Sequence, residues 1–159
     1  MLRVGIAMLQ GARYEHAQAL YTASQQIDVQ IEIVELRSSN DVDHSLDALV
    51  LPGGESTAMR KASESESLLP ALFSWMNEYA ERPVLGTCAG AILLSSPGPG
   101  HEPFIRANID RNAWGRQRDS FEALLHVTLA TPDSPSTENV SLHRDRFNHQ
   151  PLPVSSTVN

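Results

Sequence analysis

The chain has 159 residues, a formal net charge of -7 and a single cysteine. A chain of this length forms one domain with its own hydrophobic core, and its acidic balance, without a stretch rich in Lys and Arg, argues against nucleic-acid binding. One cysteine cannot form an internal disulfide, which favours a reducing, cytoplasmic setting. The apolar N-terminus is interrupted at residue 10, before it reaches the length of a signal peptide or membrane span, so we expect a soluble protein without membrane contact.

Apolar runs and helical spacing alternate along the first half of the chain. Residues 2–9 and 29–36 predict two strands, and residues 14–24 between them have the apolar spacing of a helix. A third apolar run at 48–51 ends in two glycines, and a helical stretch at 68–79 precedes a fourth run that leads into the cysteine. Strands that alternate with helices predict an α/β fold with a parallel sheet between helices. In such sheets ligands bind outside the carboxyl ends of the strands.

The lone cysteine lies where the fourth strand turns into the next helix. Residues 86–90 read Gly-Thr-Cys-Ala-Gly, and the small residues on both sides of Cys88 permit the tight turn of a nucleophile elbow. The N–H groups at the start of the following helix favour the thiolate and can donate to a developing oxyanion. The pattern predicts a cysteine nucleophile, and a buried, inert cysteine in a glycine-rich turn is the alternative.

Two further segments have the composition of binding loops. Residues 52–57 read Pro-Gly-Gly-Glu-Ser-Thr, in which paired glycines after a strand let a ligand approach backbone N–H groups. Residues 111–122 gather charged and aromatic side chains around a glycine, and Arg111 in this segment can bind a carboxylate. The acidic stretch at 63–67 is interpreted as a solvated loop or helix start.

The character of the chain changes in its last part. Residues 104–110 and 123–129 predict strands. From residue 131 onward the sequence is rich in Pro, Ser, Thr and Asn and has no sustained apolar periodicity. We therefore predict a folded domain at 1–130 and a divergent, largely disordered tail at 131–159.

Taken in order, four segments resemble the motifs of one family. They are Leu-Gln-Gly at 9–11, Leu-Pro-Gly-Gly-Glu-Ser-Thr at 51–57, Gly-Thr-Cys-Ala-Gly at 86–90 and Arg-Asn-x-x-Gly-Arg-Gln-x-Asp-Ser-Phe at 111–121. The chain resembles the glutaminase subunit of pyridoxal 5'-phosphate synthase, a class I (triad) glutamine amidotransferase. The resemblance implies a flavodoxin-like three-layer α/β sandwich, with a mostly parallel sheet that is incomplete on its C-terminal side. Such a sheet would expose an edge and an apolar face, so we expect the chain to be less stable and more prone to aggregation than a complete family member, and an oligomer would cover that edge.

The resemblance also implies a reaction and a site. It implies hydrolysis of glutamine to glutamate and ammonia, with Cys88 as the catalytic nucleophile and with no cofactor. The residues that would bind the substrate are Gly53, Gly54, Glu55 and Arg111. The backbone N–H groups of Gly54 and Ala89 would form the oxyanion hole. The ammonia would pass to a synthase subunit, a (β/α)-barrel that makes pyridoxal 5'-phosphate, and Gln10 corresponds to a family position near that interface.

The sequence departs from the family in the catalytic base. The family's base is a histidine in a His-Pro-Glu motif, which these 159 residues do not contain. His143 with Asp145 has the alternation of a base and its orienting carboxylate, whereas His16 and His126 are interpreted as structural. No cluster of His, Cys and Asp has metal-ligand spacing, so we expect no metal.

Two alternatives to a glutaminase stay open. A catalytically impaired, truncated chain could bind glutamine or the synthase subunit without hydrolysing the amide. The elbow also occurs in the DJ-1-like superfamily of cysteine hydrolases and chaperones, in which a glutamate of the first strand tunes the thiol. Glu15 lies near the corresponding part of the chain, but the motifs at 52–57 and 116–121 do not fit that superfamily.

Overall fold

The structure is a computed structural model that describes residues 1–11, 13–107 and 109, and four later strand segments. The chain divides into two compact units, Met1–Asn108 and Ile109–Asn159. In the first unit the strands are β1 (Leu2–Ala7), β2 (Ile31–Leu36), β3 (Ala48–Leu51) and β4 (Val84–Gly86), and the helices are α1 (Arg13–Gln26), α2 (Ser56–Ser63), α3 (Leu68–Glu78) and α4 (Ala89–Ser95). A short 3-10 helix, Ser39–Asp41, follows β2.

The second unit contributes strand segments that form two antiparallel pairs. They are β5 (Ser120–Phe121), β6 (Val127–Thr131), β7 (Ser134–Glu138) and β8 (Phe147–Asn148). β5 pairs with β8, and β6 pairs with β7.

The first unit is built on a four-stranded sheet in the order β2-β1-β3-β4, and all of its strands are parallel. From β1 the chain moves outward to β2, then returns past β1 to β3 and continues to β4. The direction of winding therefore reverses between β1 and β3. A reversal of this kind leaves a crevice at the carboxyl ends of the two strands, where ligands of open α/β sheets bind.

Alternation along the strands divides the apolar side chains between the two faces. Val4 and Ile6 of β1 and Val50 of β3 are buried on one face, where Ala17 and Leu20 of α1 pack against them. Successive side chains of a strand point to opposite faces, so the neighbouring residues of these strands face the other side.

The second face carries the larger core. Leu49 and Leu51 of β3 are buried there together with Leu72 of α3, Leu93 of α4 and Met59 of α2. The α/β prediction is confirmed, since helices cover a parallel sheet on both faces. The predicted starts of β1, β2, β3, α1 and α3 agree with the structure to within about two residues. The strand predicted at 123–129 overlaps β6, which begins later, at Val127.

One predicted strand is wrong over the residues that the structure describes. Residues 104–107 form a bend and an irregular segment rather than a strand. The N–H groups of Phe104 and Ile105 both donate to the carbonyl oxygen of Leu94, at 2.9 and 3.4 Å, and the Phe104 ring packs on Phe73. The apolar run is therefore used to close the end of α4, because the last carbonyls of a helix need donors from outside it.

The predicted division at residue 130 and the predicted disorder of 131–159 stay predictions. Only the segments of β6, β7 and β8 are described in that part of the chain, and the other residues of the tail lie outside the described residues. Within the described ranges, no helix has the length and apolar character needed to cross a membrane.

Candidate active site

The carboxyl ends of three strands meet at one side of the sheet. Two of them are followed by predicted site residues, and the third is followed by Gln10, which is predicted to lie near the partner interface. Gln10 follows β1, Gly53 and Gly54 follow β3, and Cys88 follows β4. A Cβ added to Gly11 would collide with the carbonyl oxygen of Gly53, so the loops after β1 and β3 are in direct backbone contact. The parallel topology thus brings together segments that are far apart in the sequence.

Cys88 occupies a strained position between β4 and α4. Its φ of 50° and ψ of -111° lie outside the regions that a residue with a side chain normally adopts, and its side chain is exposed. Such a conformation costs about 1–3 kcal/mol and persists only where neighbouring contacts enforce it. The strand-to-helix turn predicted around Cys88 is therefore present, with an exposed sulfur at the turn, and the role of Cys88 as a nucleophile stays a prediction.

Backbone contacts around the cysteine enforce this turn. The Thr87 N–H donates to the carbonyl oxygen of Leu51 at 3.1 Å, and the Gly90 N–H donates to the carbonyl oxygen of Thr87 at 2.8 Å. A Cβ added to Gly90 would collide with the Leu51 carbonyl oxygen. The first turn of α4 is consequently packed against the end of β3, and only glycine permits this approach.

The paired glycines lie beside the cysteine, and there is little free space between Gly53 and Cys88. A Cβ added to Gly53 would lie 3.2 Å from Cys88 Cβ and 3.9 Å from its Sγ. Gly54 has a φ of 154°, and a Cβ there would lie 2.8 Å from the Gln10 side-chain oxygen. Bare backbone is therefore presented to whatever approaches the sulfur from this side.

Glu55 performs a local structural task. Its carboxylate accepts hydrogen bonds from Thr57 N–H at 3.0 Å and from Ala58 N–H at 2.6 Å, which caps the N-terminus of α2. Its own backbone N–H donates to the side-chain oxygen of Gln10 at 2.8 Å. Glu55 thus fixes the loop that holds the two glycines, between β1 on one side and α2 on the other.

Ala89, the second predicted oxyanion residue, is the first residue of α4 and is buried. The first N–H groups of a helix have no acceptor within the helix, so the Ala89 N–H is suited to donate to an external oxygen next to the sulfur.

Several predicted residues lie outside the described part of the chain. Arg111 and the candidate pair His143 and Asp145 belong to this group, as does His126. Their positions relative to Cys88 are therefore not part of the site described above. Within the described residues, no three or more His, Cys, Asp or Glu side chains are grouped in a way that could hold a metal ion.

Sequence reasoning missed one contact of the elbow. His16 Nε2 of α1 and Thr87 Oγ1 form a hydrogen bond of 3.0 Å, in which the imidazole tautomer decides which atom donates. The two residues are 71 positions apart, and no local spacing indicates their pairing. The only available signal was that His16 follows the Leu-Gln-Gly segment at the first strand end, which is itself part of the site.

Comparisons with known proteins agree with this arrangement. Residues 6–137 match the model of the SNO glutamine amidotransferase family. The chain is 42% identical over 132 residues to the pyridoxal 5'-phosphate synthase subunit PdxT of Shouchella clausii (strain KSM-K16), which covers 79% of this chain and 62% of that protein. It is 39% identical over 135 residues to the PdxT subunit of Ignicoccus hospitalis (strain KIN4/I), which covers 79% of this chain and 67% of that protein.

A solved structure is similar in fold. It is a crystal structure of a glutamine amidotransferase, matched with a TM-score of 0.58 and 32% sequence identity over 78% of this chain and 64% of that chain. The chain thus spans roughly two thirds of the length of the proteins it matches. The family match covers most of the chain and includes all three strand ends that meet at Cys88, so the chain belongs to the SNO glutamine amidotransferase family.

Proposed function

We propose that this chain is a glutaminase subunit that hydrolyses L-glutamine to glutamate and ammonia, and that it delivers the ammonia to a (β/α)-barrel synthase subunit that forms pyridoxal 5'-phosphate. The observation that carries the proposal is the exposed Cys88 at a strained elbow, beside the bare backbone of Gly53. The family membership and the names of the similar proteins support the same activity.

The chemistry follows from the nucleophile and its surroundings. The Cys88 thiolate attacks the side-chain amide carbon of glutamine and forms a C–S bond, and the negative charge moves to the amide oxygen. The N–H groups of Gly54 and Ala89 would donate to that oxygen. The C–N bond then breaks, and the nitrogen takes up a proton and leaves as ammonia. Water attacks the thioester, the C–S bond breaks, and glutamate and the thiol are released.

Four residues are proposed to bind the substrate: Gly53, Gly54, Glu55 and Arg111. Gly53 and Gly54 would contact glutamine through their backbone groups. Glu55 would contact it through its backbone carbonyl, because its carboxylate caps α2 and its N–H is bonded to Gln10. Arg111 would bind the α-carboxylate of the substrate as a bidentate partner. The family's His-Pro-Glu base is absent from these 159 residues. His143 with Asp145, in the tail predicted to be largely disordered, is the surrogate pair that the sequence offers for delivering the proton to the leaving nitrogen.

The partner and the compartment are proposals of the same kind. Gln10 lies at the end of β1 with an exposed side chain, next to the loop that carries the glycines. A synthase subunit that docks at this edge of the sheet would contact Gln10 and would receive ammonia close to where it forms. A single cysteine that has to stay reduced in order to react supports a cytoplasmic location.

The test measures glutamate release from L-glutamine by the 159-residue chain, alone and with the synthase subunit. In parallel, the chain is treated with a diazo-ketone analogue of glutamine, and its intact mass is measured. Because the chain has one cysteine, a single adduct reports on Cys88 alone. We expect release, and labelling that glutamine prevents, and we expect Cys88→Ala to abolish both.

Cys88→Ser serves as the matched control, since it keeps the size of the side chain and loses the reactive sulfur. Binding of the synthase subunit without glutamate release would favour the binding-only alternative. No effect of glutamine on labelling, and no release in any combination, would contradict the proposed function.

A further inference from the structure

The bond between α1 and the elbow has no role in the chemistry proposed above, yet it is attached to the residue directly before the nucleophile. His16 and Thr87 are both half-buried, and the 3.0 Å bond between their side chains joins α1 to the turn. α1 otherwise contacts the sheet through Ala17 and Leu20, which pack on the opposite side from the larger core.

Thr87 is held by three different elements. Its N–H is bonded to the end of β3 through Leu51, its carbonyl oxygen accepts from Gly90 of α4, and its hydroxyl is bonded to His16 of α1. The two backbone bonds fix the peptide groups on either side of Thr87. The side-chain bond is the one constraint among the three that a substitution can remove without changing the backbone.

The hydrogen bond between His16 and Thr87 matters for Cys88 because the backbone of Cys88 is strained. A residue with a side chain at a φ of 50° and a ψ of -111° relaxes toward an ordinary conformation unless its flanking residues are held. Because Thr87 is the preceding residue, a firm hold on Thr87 limits that relaxation. Loss of the hold would move the sulfur relative to Gly53 and to the N–H of Ala89, and small displacements of a reacting group have large effects on rate.

We propose that His16 is a positioning residue for the nucleophile, and that its hydrogen bond to Thr87 keeps the Cys88 backbone in the strained conformation that presents the sulfur. The inference deepens the proposed function and rests on it for its effect on catalysis. The conformation of Cys88 itself can be measured without any substrate.

The first measurement uses the single cysteine as a spectroscopic reporter. Protein labelled with ¹³C only in cysteine gives one Cα and one Cβ resonance, and both shifts depend on φ and ψ. We expect His16→Ala to move these resonances toward the values of an ordinary turn, although the substitution is 72 positions away from Cys88. We expect His16→Gln, whose amide nitrogen occupies the place of Nε2, to restore them.

The second measurement is the rate at which the diazo-ketone analogue labels Cys88. We expect a fall of about fivefold to tenfold in the maximal rate for His16→Ala and for Thr87→Val, the usual effect of losing one hydrogen bond. The analogue concentration at half-maximal rate should stay unchanged, because neither side chain is among the groups proposed to bind glutamine. Thr87→Ser keeps the hydroxyl and should label like the unaltered chain. The double variant His16→Ala/Thr87→Val should label at about the same rate as either single variant, because both substitutions remove the same hydrogen bond.

The controls separate positioning from a general effect on stability. Thr22→Val removes a hydroxyl from the same helix, where Thr22 bonds only to Gln18 of α1, and should leave both measurements unchanged. All rates are measured well below the melting midpoint of each variant. If His16→Ala does not fold, the comparison of Thr87→Val with Thr87→Ser carries the test.

Each outcome decides the inference. Moved resonances with slower labelling, both restored by His16→Gln, support it. Lower melting midpoints with unchanged resonances and unchanged labelling would overturn it, since His16 would then only stabilise the fold. Moved resonances in a chain that shows no glutamine-protected labelling at all would support the positioning role while contradicting the proposed function.

Discussion

The side-chain oxygen of Gln10 accepts a hydrogen bond of 2.8 Å from the backbone nitrogen of Glu55, and so ties the end of β1 to the loop after β3. The bond crosses the point at which the winding of the sheet reverses, where a ligand crevice is expected. Gly54, whose N–H is proposed to bind the oxyanion, lies directly before Glu55. The orientation of the loop that carries Gly53 and Gly54 therefore depends on a side chain that follows the first strand.

Removal of this bond should loosen the loop without unfolding the chain. We expect Gln10→Ala to slow labelling of Cys88 by the diazo-ketone analogue about fivefold, because one hydrogen bond contributes roughly 1 kcal/mol. Gln10→Glu keeps an acceptor oxygen at the same place and should retain more of the rate. Gln18→Ala on the exposed side of α1 is the control. Equal rates for Gln10→Ala and the unaltered chain would contradict the assigned role of the bond.

Gly53 tests the space beside the sulfur. A Cβ at this position would lie 3.2 Å from Cys88 Cβ, which is tighter than most such contacts, so Gly53→Ala should displace the Cys88 side chain. We expect the rates of labelling and of glutamate release to fall about tenfold or more. The circular dichroism spectrum should stay that of the unaltered chain, which would show that the fold is preserved. Labelling at the unaltered rate would mean that the substrate does not approach from the Gly53 side.

Gly90 tests the fold rather than the site. A Cβ there would collide with the Leu51 carbonyl oxygen, a backbone atom that cannot move away without shifting β3. We expect Gly90→Ala to lower the free energy of unfolding by about 2–4 kcal/mol, despite the higher helix propensity of alanine. Denaturant unfolding provides the measurement. Gly100→Ala is the comparison. An added Cβ at Gly100 meets nothing within 4 Å, so the loss of stability there comes from the positive φ of Gly100 and not from a collision. A smaller loss for Gly90→Ala than for Gly100→Ala would contradict the packing described here.

Asp41 should give the chain an acid-sensitive contribution to stability. The backbone N–H groups of Arg37 and Ser38 donate to its carboxylate, and these bonds hold the pKa of Asp41 below its ordinary value of 3.8. A lowered pKa in the folded state means that the stabilisation is complete above the unfolded value and is lost as the pH falls through the folded value.

We therefore expect the difference in melting midpoint between the unaltered chain and Asp41→Asn to be constant at neutral pH. It should shrink as the pH falls below about 4. Thermal melts between pH 7 and pH 2.5 would show this. A difference that grows as the pH falls would have the wrong sign for this explanation.

Leu85 tests the exposed face of the sheet. It lies in register with Val50 on the face that α1 covers, but it is 51% exposed whereas Val50 is 3% exposed. Both faces of a parallel sheet are normally covered, and an exposed apolar side chain at its edge favours association. We predict that the chain self-associates through β4, and we expect Leu85→Thr to shift it toward the monomer in sedimentation velocity, with little change in the melting midpoint. An unaltered chain that sediments only as a monomer would contradict this prediction.

Ile27→Thr is the matched control for Leu85→Thr. Ile27 is 68% exposed, but it lies after the C-terminus of α1 and not on the sheet. An equal reduction in self-association by both substitutions would mean that general surface hydrophobicity, and not the exposed face of edge strand β4, controls association.

The Phe104 segment illustrates the limit of local patterns in this chain. Its apolar residues have the composition of a strand, yet two N–H groups close the end of α4 and the Phe104 ring packs on Phe73. The apolar composition of a segment indicates that the folded chain buries it. It does not indicate where, because the place depends on which backbone groups of other elements still lack a hydrogen-bond partner.

Local patterns in the sequence predict the four strands of the sheet, α1, α3 and the turn at Cys88 with small residues on both sides of it. These features follow from side-chain periodicity and from turns that only small residues permit, and both act between near neighbours. The hydrogen bonds from Glu55 to Gln10 and between His16 and Thr87 join residues 45 and 71 positions apart, and no local pattern predicts them. The close approach of Gly90 to the Leu51 carbonyl oxygen is likewise a long-range contact. Those pairings depend on the order β2-β1-β3-β4, because strand order determines which chain ends become neighbours at the edge of a sheet.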